Sequence, residues 1–105
     1  MILTKPNHIK IYGHRGARGD LPENTLESFK YLFENKISAY ETDILLTKDL
    51  IPVVYHDFRL NPELTKDAQG NWIEDNDIKI FDLTYEDLSK FKIGEIDKKS
   101  KYGRR

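Results

Sequence analysis

The stretch from Tyr40 to Asp57, YETDILLTKDLIPVVYHD, leaves this chain few ways to fold. It opens with two carboxylates spaced i, i+2 (Glu41 and Asp43), passes a turn-like Lys48-Asp49, and ends an apolar run on His56-Asp57. Residues two apart on an extended strand point to the same face. The spacing predicts Glu41 and Asp43 side by side, with Thr42, Ile44 and Leu46 on the opposite face. Adjacent carboxylates repel each other unless a cation lies between them, and hard divalent ions take such oxygen ligands. A reversal at 48–50 pairs residues whose numbers sum to about 98 or 99, which sets Asp43 opposite Tyr55 or His56. A histidine beside two carboxylates is a candidate acid/base group. Read alone, the same residues also describe a surface hairpin with solvated acids.

The neighbouring segments supply the frame. Ile9 to Gly13 alternates apolar with polar and reads as a strand that runs into the glycine-rich loop His14-Arg15-Gly16-Ala17-Arg18-Gly19. After Pro22, Asn24 is placed to cap a helix, with Glu27 three residues on as in a capping box. Leu26, Phe29, Leu32, Phe33 and Ile37 make an apolar stripe, so a helix is expected over about 25–36. Strands are expected at Ala39 to Leu46 and Ile51 to Tyr55. The order strand, loop, helix, strand predicts a β-α-β unit in an α/β fold.

Beyond Asp57 the chain turns polar, with a reversal at Asp67 to Asn71 and Trp72 and Ile73 as its apolar anchors. Ile78 to Phe81 is too short to assign. Thr84 starts a second helix, with Asp87 at its third position, a Leu83–Leu88 staple and a stop near Gly94. His8 and the basic tail from Asp97 to Arg105 are expected to be solvated. No repeat or second domain is visible.

Composition excludes more than it selects. The 105 residues suffice for one small domain with a modest core. Seventeen basic and eighteen acidic residues nearly cancel, so no whole-chain field points to nucleic acid. The absence of cysteine rules out disulfides and thiolate metal sites. No apolar run approaches the ~18 residues of a membrane span, and the first ten residues lack the pattern of a secretory leader. The expected setting is soluble and cytoplasmic.

His14 and Arg15 fall at the end of the first strand, where a planar guanidinium suits a phosphate. Taken in order, His14-Arg15-Gly16, Pro22-Glu23-Asn24-Thr25, Glu41-x-Asp43, Thr47-Lys48-Asp49 and Val53-Val54-Tyr55-His56-Asp57 resemble the N-terminal signature of the glycerophosphodiester phosphodiesterase family, and Leu83 to Leu88 resembles its next helix start. The resemblance runs from about residue 10 to 95. It implies the N-terminal portion, residues 1–105, of a TIM (β/α)8 barrel of the phospholipase C-like phosphodiesterase type, incomplete in this chain. It further implies cleavage of glycerophosphodiesters to glycerol 3-phosphate and an alcohol. His14 and His56 match the family's acid/base pair, Arg15 its phosphate-binding arginine, and Glu41 and Asp43 two ligands of a divalent cation, Mg2+ or Ca2+. Glu23 is either a further site residue or helix-start chemistry. Asp57 either shapes the turn after the third strand or orients His56.

Two departures stand out. Leu50 replaces the glycine usual in the family's Lys-Asp-Gly turn, which argues for a turn of another type because leucine disfavours positive φ. A full barrel takes about 200 residues or more, and the family's third carboxylate ligand has no match here. A complete site is therefore expected to need the remainder of the barrel or self-association. The competing readings are an inactive fragment serving as a binding module, and another phospholipase C-like phosphodiesterase, such as a sphingomyelinase D-like enzyme.

Overall fold

The computed structural model describes residues 10–99. Strand β1 (Tyr12–His14) leads through the glycine loop to helix α1 (Leu26–Glu34), and the chain returns as β2 (Ala39–Glu41), parallel to β1. The β-α-β unit expected from the sequence is therefore present. Register sets Gly13 beside Tyr40 and His14 beside Glu41. Gly13 is buried because its strand lies directly under α1: a Cβ there would stand 2.2 Å from Leu32 Cδ1 and 2.6 Å from the Gly16 carbonyl.

Helix α1 starts one residue later than the capping pattern predicts. Thr25, not Asn24, is the N-cap, and its side chain accepts from the Ser28 amide. Asn24 instead takes a left-handed backbone, φ 55°, which asparagine adopts at low cost. Only part of the predicted stripe is covered. Leu32 is buried and Phe29 packs against Tyr40 with ring centroids 4.7 Å apart, whereas Leu26 and Phe33 are exposed.

The single strand expected from Ala39 to Leu46 is broken. It leaves β1 after Glu41 and resumes as β3 (Ile44–Leu46), which pairs antiparallel with β4 (Pro52–Val54). Ile44 faces Val54 and Leu46 faces Pro52, a register sum of 98, and the Tyr55 amide continues the ladder onto the Asp43 carbonyl at 3.1 Å. The turn between them keeps the left-handed corner: Leu50 has φ 63°, at a cost of about 1–2 kcal/mol relative to glycine. Buried Thr47 offsets this by accepting the Ile51 amide and donating its hydroxyl to Asp49.

Asp49 then ties this hairpin to the last helix by accepting the Tyr85 amide at 2.9 Å. Thr84 is the expected N-cap of α2 (Tyr85–Leu88), which is one turn long and ends well before Gly94. The Thr47 hydroxyl and then the Tyr85 amide hold the Asp49 carboxyl below its ordinary value. A depressed folded-state value means stabilisation that is present above the unfolded value, near 4, and lost as pH falls through the folded one. Asp49→Asn should therefore flatten the drop in urea midpoint between pH 5 and pH 3. An equally steep drop in the variant would show that other carboxylates set the acid limit.

Between these elements lies the polar excursion. β5 (Thr65–Lys66) pairs antiparallel with β6 (Lys92–Ile93), and a short 3-10 turn covers Ile80–Asp82. The reversal at Asp67 to Asn71 is closed by main-chain bonds and by Asp67 Oδ1, which accepts from Gln69 and Asn71. Of its two expected anchors, Ile73 packs against the core while Trp72 lies under the Lys66 ammonium, 4.8 Å from the ring centroid. The core consists of Tyr55, Leu60, Ile80 and Leu88, flanked by Leu45, Val53 and Leu83.

The described residues thus form three two-stranded sheets and close no barrel. Ile44, Leu46, Val54, Phe58 and Phe81 stay exposed, and the Cα radius of gyration is 15.7 Å where a compact 100-residue domain has about 13 Å. Among the described residues no helix is long and apolar enough to cross a membrane. Among the described residues the first strand begins at Tyr12, and Ile9, its expected start, lies outside them. His8 and most of the basic tail lie outside the described residues.

Candidate active site

The polar cluster forms where β1 and β2 end and the loop after β4 crosses them. His14 is the last residue of β1, and its parallel register beside Glu41 brings Nε2 to 3.7 Å from Glu41 Oε2. Arg15 follows with φ 50°, an uncommon conformation for a side chain of this size. Such backbone strain of about 1–3 kcal/mol persists only where surrounding contacts hold it. Those contacts are present: the Arg15 carbonyl accepts from Asn24 at 2.7 Å, and the Arg15 amide donates to Glu41 Oε2 at 3.2 Å. Gly16 completes the corner at φ 76°, where a Cβ would meet Ser28 Oγ at 2.1 Å. The loop is therefore seated on the first turn of α1.

This seating turns the Arg15 guanidinium inward. Its Nη1 donates to both Glu23 oxygens, at 3.2 and 3.3 Å, and its Nη2 lies 2.7 Å from His56 Nε2. Arg18 adds a second guanidinium to Glu23, from Nε at 3.3 Å. Glu23 is almost fully enclosed, 9% exposed against 14% for Arg15, so these charge-assisted bonds are poorly screened by water. Two arginines share this one carboxylate, while Glu41 stands beside His14 and Asp57 beside His56. Arg15 Nε is buried with no hydrogen-bond partner, leaving one N–H to donate to an anion's oxygen.

His56 comes from the loop after β4. Its Nδ1 lies 2.6 Å from Asp57 Oδ1, and Asp57 Oδ2 accepts from Asn61 Nδ2 at 3.3 Å. The Asn61 amide donates in turn to the Tyr55 hydroxyl at 2.8 Å. Tyr55 is 7% exposed, and its burial pushes the phenol above its ordinary value.

Of the predicted residues, the structure joins His14, Arg15, Glu23, Glu41 and His56 in one connected set. Glu23 makes no capping contact; it grips the arginines. Glu41 and Asp43 fall on either side of the strand break, not on one continuous strand. As carboxylates they are the donor type a hard divalent cation takes. Asp43 Oδ2 is buried with no hydrogen-bond partner, which suits a ligand to such a cation. Among the described residues no three His, Cys, Asp or Glu side chains converge into a metal-holding group. The donor set therefore fits such an ion in kind and falls short in number.

Sequence reasoning missed Arg18 and Asn61. Arg18 carried a signal, a second arginine in the same glycine loop; Asn61 carried none, because its role depends on how the loop after His56 bends.

Fold and site define the class: an α/β chain with paired histidines, a buried arginine and carboxylates gathered at strand ends. The chain belongs to the glycerophosphoryl diester phosphodiesterase family, whose model matches residues 14–104. That family consists of hydrolases. A Bacillus altitudinis glycerophosphodiester phosphodiesterase is 36% identical over 81 residues, covering 77% of this chain and 29% of that protein. Human glycerophosphodiester phosphodiesterase 1 is 34% identical over 89 residues, covering 85% of this chain and 24% of its own. A Silicibacter pomeroyi crystal structure, provisionally described as a glycerophosphoryl diester phosphodiesterase, superposes with a TM-score of 0.88 at 38% identity. It covers 96% of this chain, which accounts for 34% of that one. The chain thus spans about a quarter to a third of these three relatives and as little as 6% of a larger one.

Proposed function

We propose that these residues are the N-terminal part of a (β/α)8 phosphodiesterase domain that hydrolyses glycerophosphodiesters to glycerol 3-phosphate and an alcohol. The observation that carries this reading is the convergence on Arg15 of Glu23, Glu41 and His56, which lie 8, 26 and 41 residues away in the chain. Cleaving a phosphodiester requires an activated nucleophile, a protonated leaving oxygen and positive charge at the non-bridging oxygens. Arg15 serves the last need, with its partnerless Nε and with the Nη2 now engaged by His56. Glu23 holds the guanidinium in place while this happens. His56, within reach of any oxygen that Arg15 binds, and His14, across the same strand ends, divide the acid and base roles. Glu41 and Asp43 would hold a divalent cation, Mg2+ or Ca2+, which supplies further positive charge when bound.

The exposed apolar side chains of α1, β3 and β4 are the surfaces that the rest of a barrel covers. Activity is therefore proposed for these residues joined to the remaining strands, or assembled with another chain. The test is to complete residues 1–105 with the downstream part of the Bacillus relative and analyse products from glycerophosphocholine. Glycerol 3-phosphate is expected; choline phosphate or a cyclic product would replace this reading by a phospholipase C-like or sphingomyelinase D-like one. In the same protein Glu41→Ala should raise the cation concentration for half-maximal rate at least tenfold. Unchanged cation dependence would remove Glu41 from the ligand set.

A further inference from the structure

His56 is contacted at both ring nitrogens, and the two contacts impose the same assignment. A guanidinium has only donors, so with Arg15 Nη2 at 2.7 Å the Nε2 atom must accept. A carboxylate has only acceptors, so with Asp57 Oδ1 at 2.6 Å the Nδ1 atom must donate. We infer that Asp57, anchored by Asn61, is a positioning residue that holds His56 as its Nδ1–H tautomer and makes Nε2 the nitrogen that exchanges a proton with substrate.

The anchoring is specific. Asp57 directs one oxygen to His56 and the other to Asn61 Nδ2. Asn61 cannot drift, because its amide is bonded to the buried Tyr55 hydroxyl and its Oδ1 accepts from Glu63 at 2.9 Å. The loop from Tyr55 to Asn61 is thus pinned at both ends around the imidazole. The same geometry explains what Arg15 does before substrate arrives. A phosphate oxygen that takes Nη2 removes the hydrogen bond to His56 and leaves the Nε2 lone pair facing the newly bound phosphodiester. Only the role of Nε2 in catalysis rests on the phosphodiesterase reading; the tautomer follows from the ring contacts alone.

The experiment is histidine-selective 15N labelling of the whole chain, with long-range 1H–15N correlation at about pH 8.5, above the ordinary histidine range. His56 is assigned by the signal lost in His56→Gln. The unmodified chain should show a pyrrole-type Nδ1 and a pyridine-type Nε2. To test Asp57 apart from Arg15, which by itself makes Nε2 an acceptor, the same spectra are recorded in Arg15→Met. There the ring should stay Nδ1–H while Asp57 is present and pass mainly to the Nε2–H form when Asp57→Ala is added, with Asn61→Ala moving it the same way to a smaller extent. An Nε2–H ring in the unmodified chain overturns the inference, and so does an unaltered Nδ1–H ring in the Arg15→Met, Asp57→Ala protein. If the double variant does not fold, Arg15→Met alone decides, because a ring that turns to Nε2–H there overturns the inference. No substrate is present, so failure of the phosphodiesterase reading would leave these spectra unchanged, and a wrong tautomer would leave product analysis unchanged.

Discussion

Replacing His56 with alanine is expected to lower turnover at least 100-fold in the completed domain, with His14→Ala doing the same. General acid or base groups contribute about 10²–10⁴ in rate, and 100-fold corresponds to about 2.7 kcal/mol of transition-state stabilisation. Neither change should disturb the fold much. The side chains are 60% exposed for His14 and 36% for His56, and surface substitutions usually stay within about 0.5 kcal/mol. A kinetic loss with an unchanged urea midpoint would separate chemistry from folding. Arg15 refines the comparison. Removing His56 frees Nη2, so the KM for the phosphodiester should hold or fall while kcat collapses. A variant at either position that keeps near-normal kcat would sink the two-histidine assignment.

Leu60→Ala should have the largest effect on stability. Leu60 is fully buried against Tyr55, Ile80 and Leu88, and its amide is bonded to the Ile78 carbonyl at 2.8 Å. Emptying such a site costs about 2–5 kcal/mol, lost transfer energy plus the cavity left behind. Small domains have total stabilities near the low end of about 5–15 kcal/mol, so most of the margin would go. Phe58→Ala, at a position 77% exposed two residues earlier, is the control and should stay within about 0.5 kcal/mol. Trp72 fluorescence in urea provides the readout. Equal midpoints for the two variants would mean that the segment after His56 is not packed as a core. The consequence reaches the site, because Tyr55, in the same cluster, anchors Asn61 and through it the His56 loop.

The sequence by itself determined the features whose cause lies within a few residues. The alternation before His14, the helical spacing after Pro22 and the reversal after Thr47 are local, so the β-α-β order could be read directly and the hairpin register narrowed to a sum of 98 or 99, of which the fold takes 98. Thr84 as a cap was legible for the same reason, since a hydroxyl three residues before an amide needs no distant partner. The family signature was legible too, as short motifs in a fixed order. Tertiary structure alone decided the rest. Nothing near Thr42 announces that one strand breaks to serve two sheets, because the competition is between β1 and β4, which lie on opposite sides in the sequence. Leu50 keeps a left-handed corner against its own preference because Thr47 and Asp49 close the turn around it. Asn24 yields the cap to Thr25 because its own side chain is engaged by Thr42 at 2.8 Å. The inward turn of Arg15 required three partners from three segments. A one-dimensional pattern names such residues, but only a folded chain brings their charges within hydrogen-bonding distance.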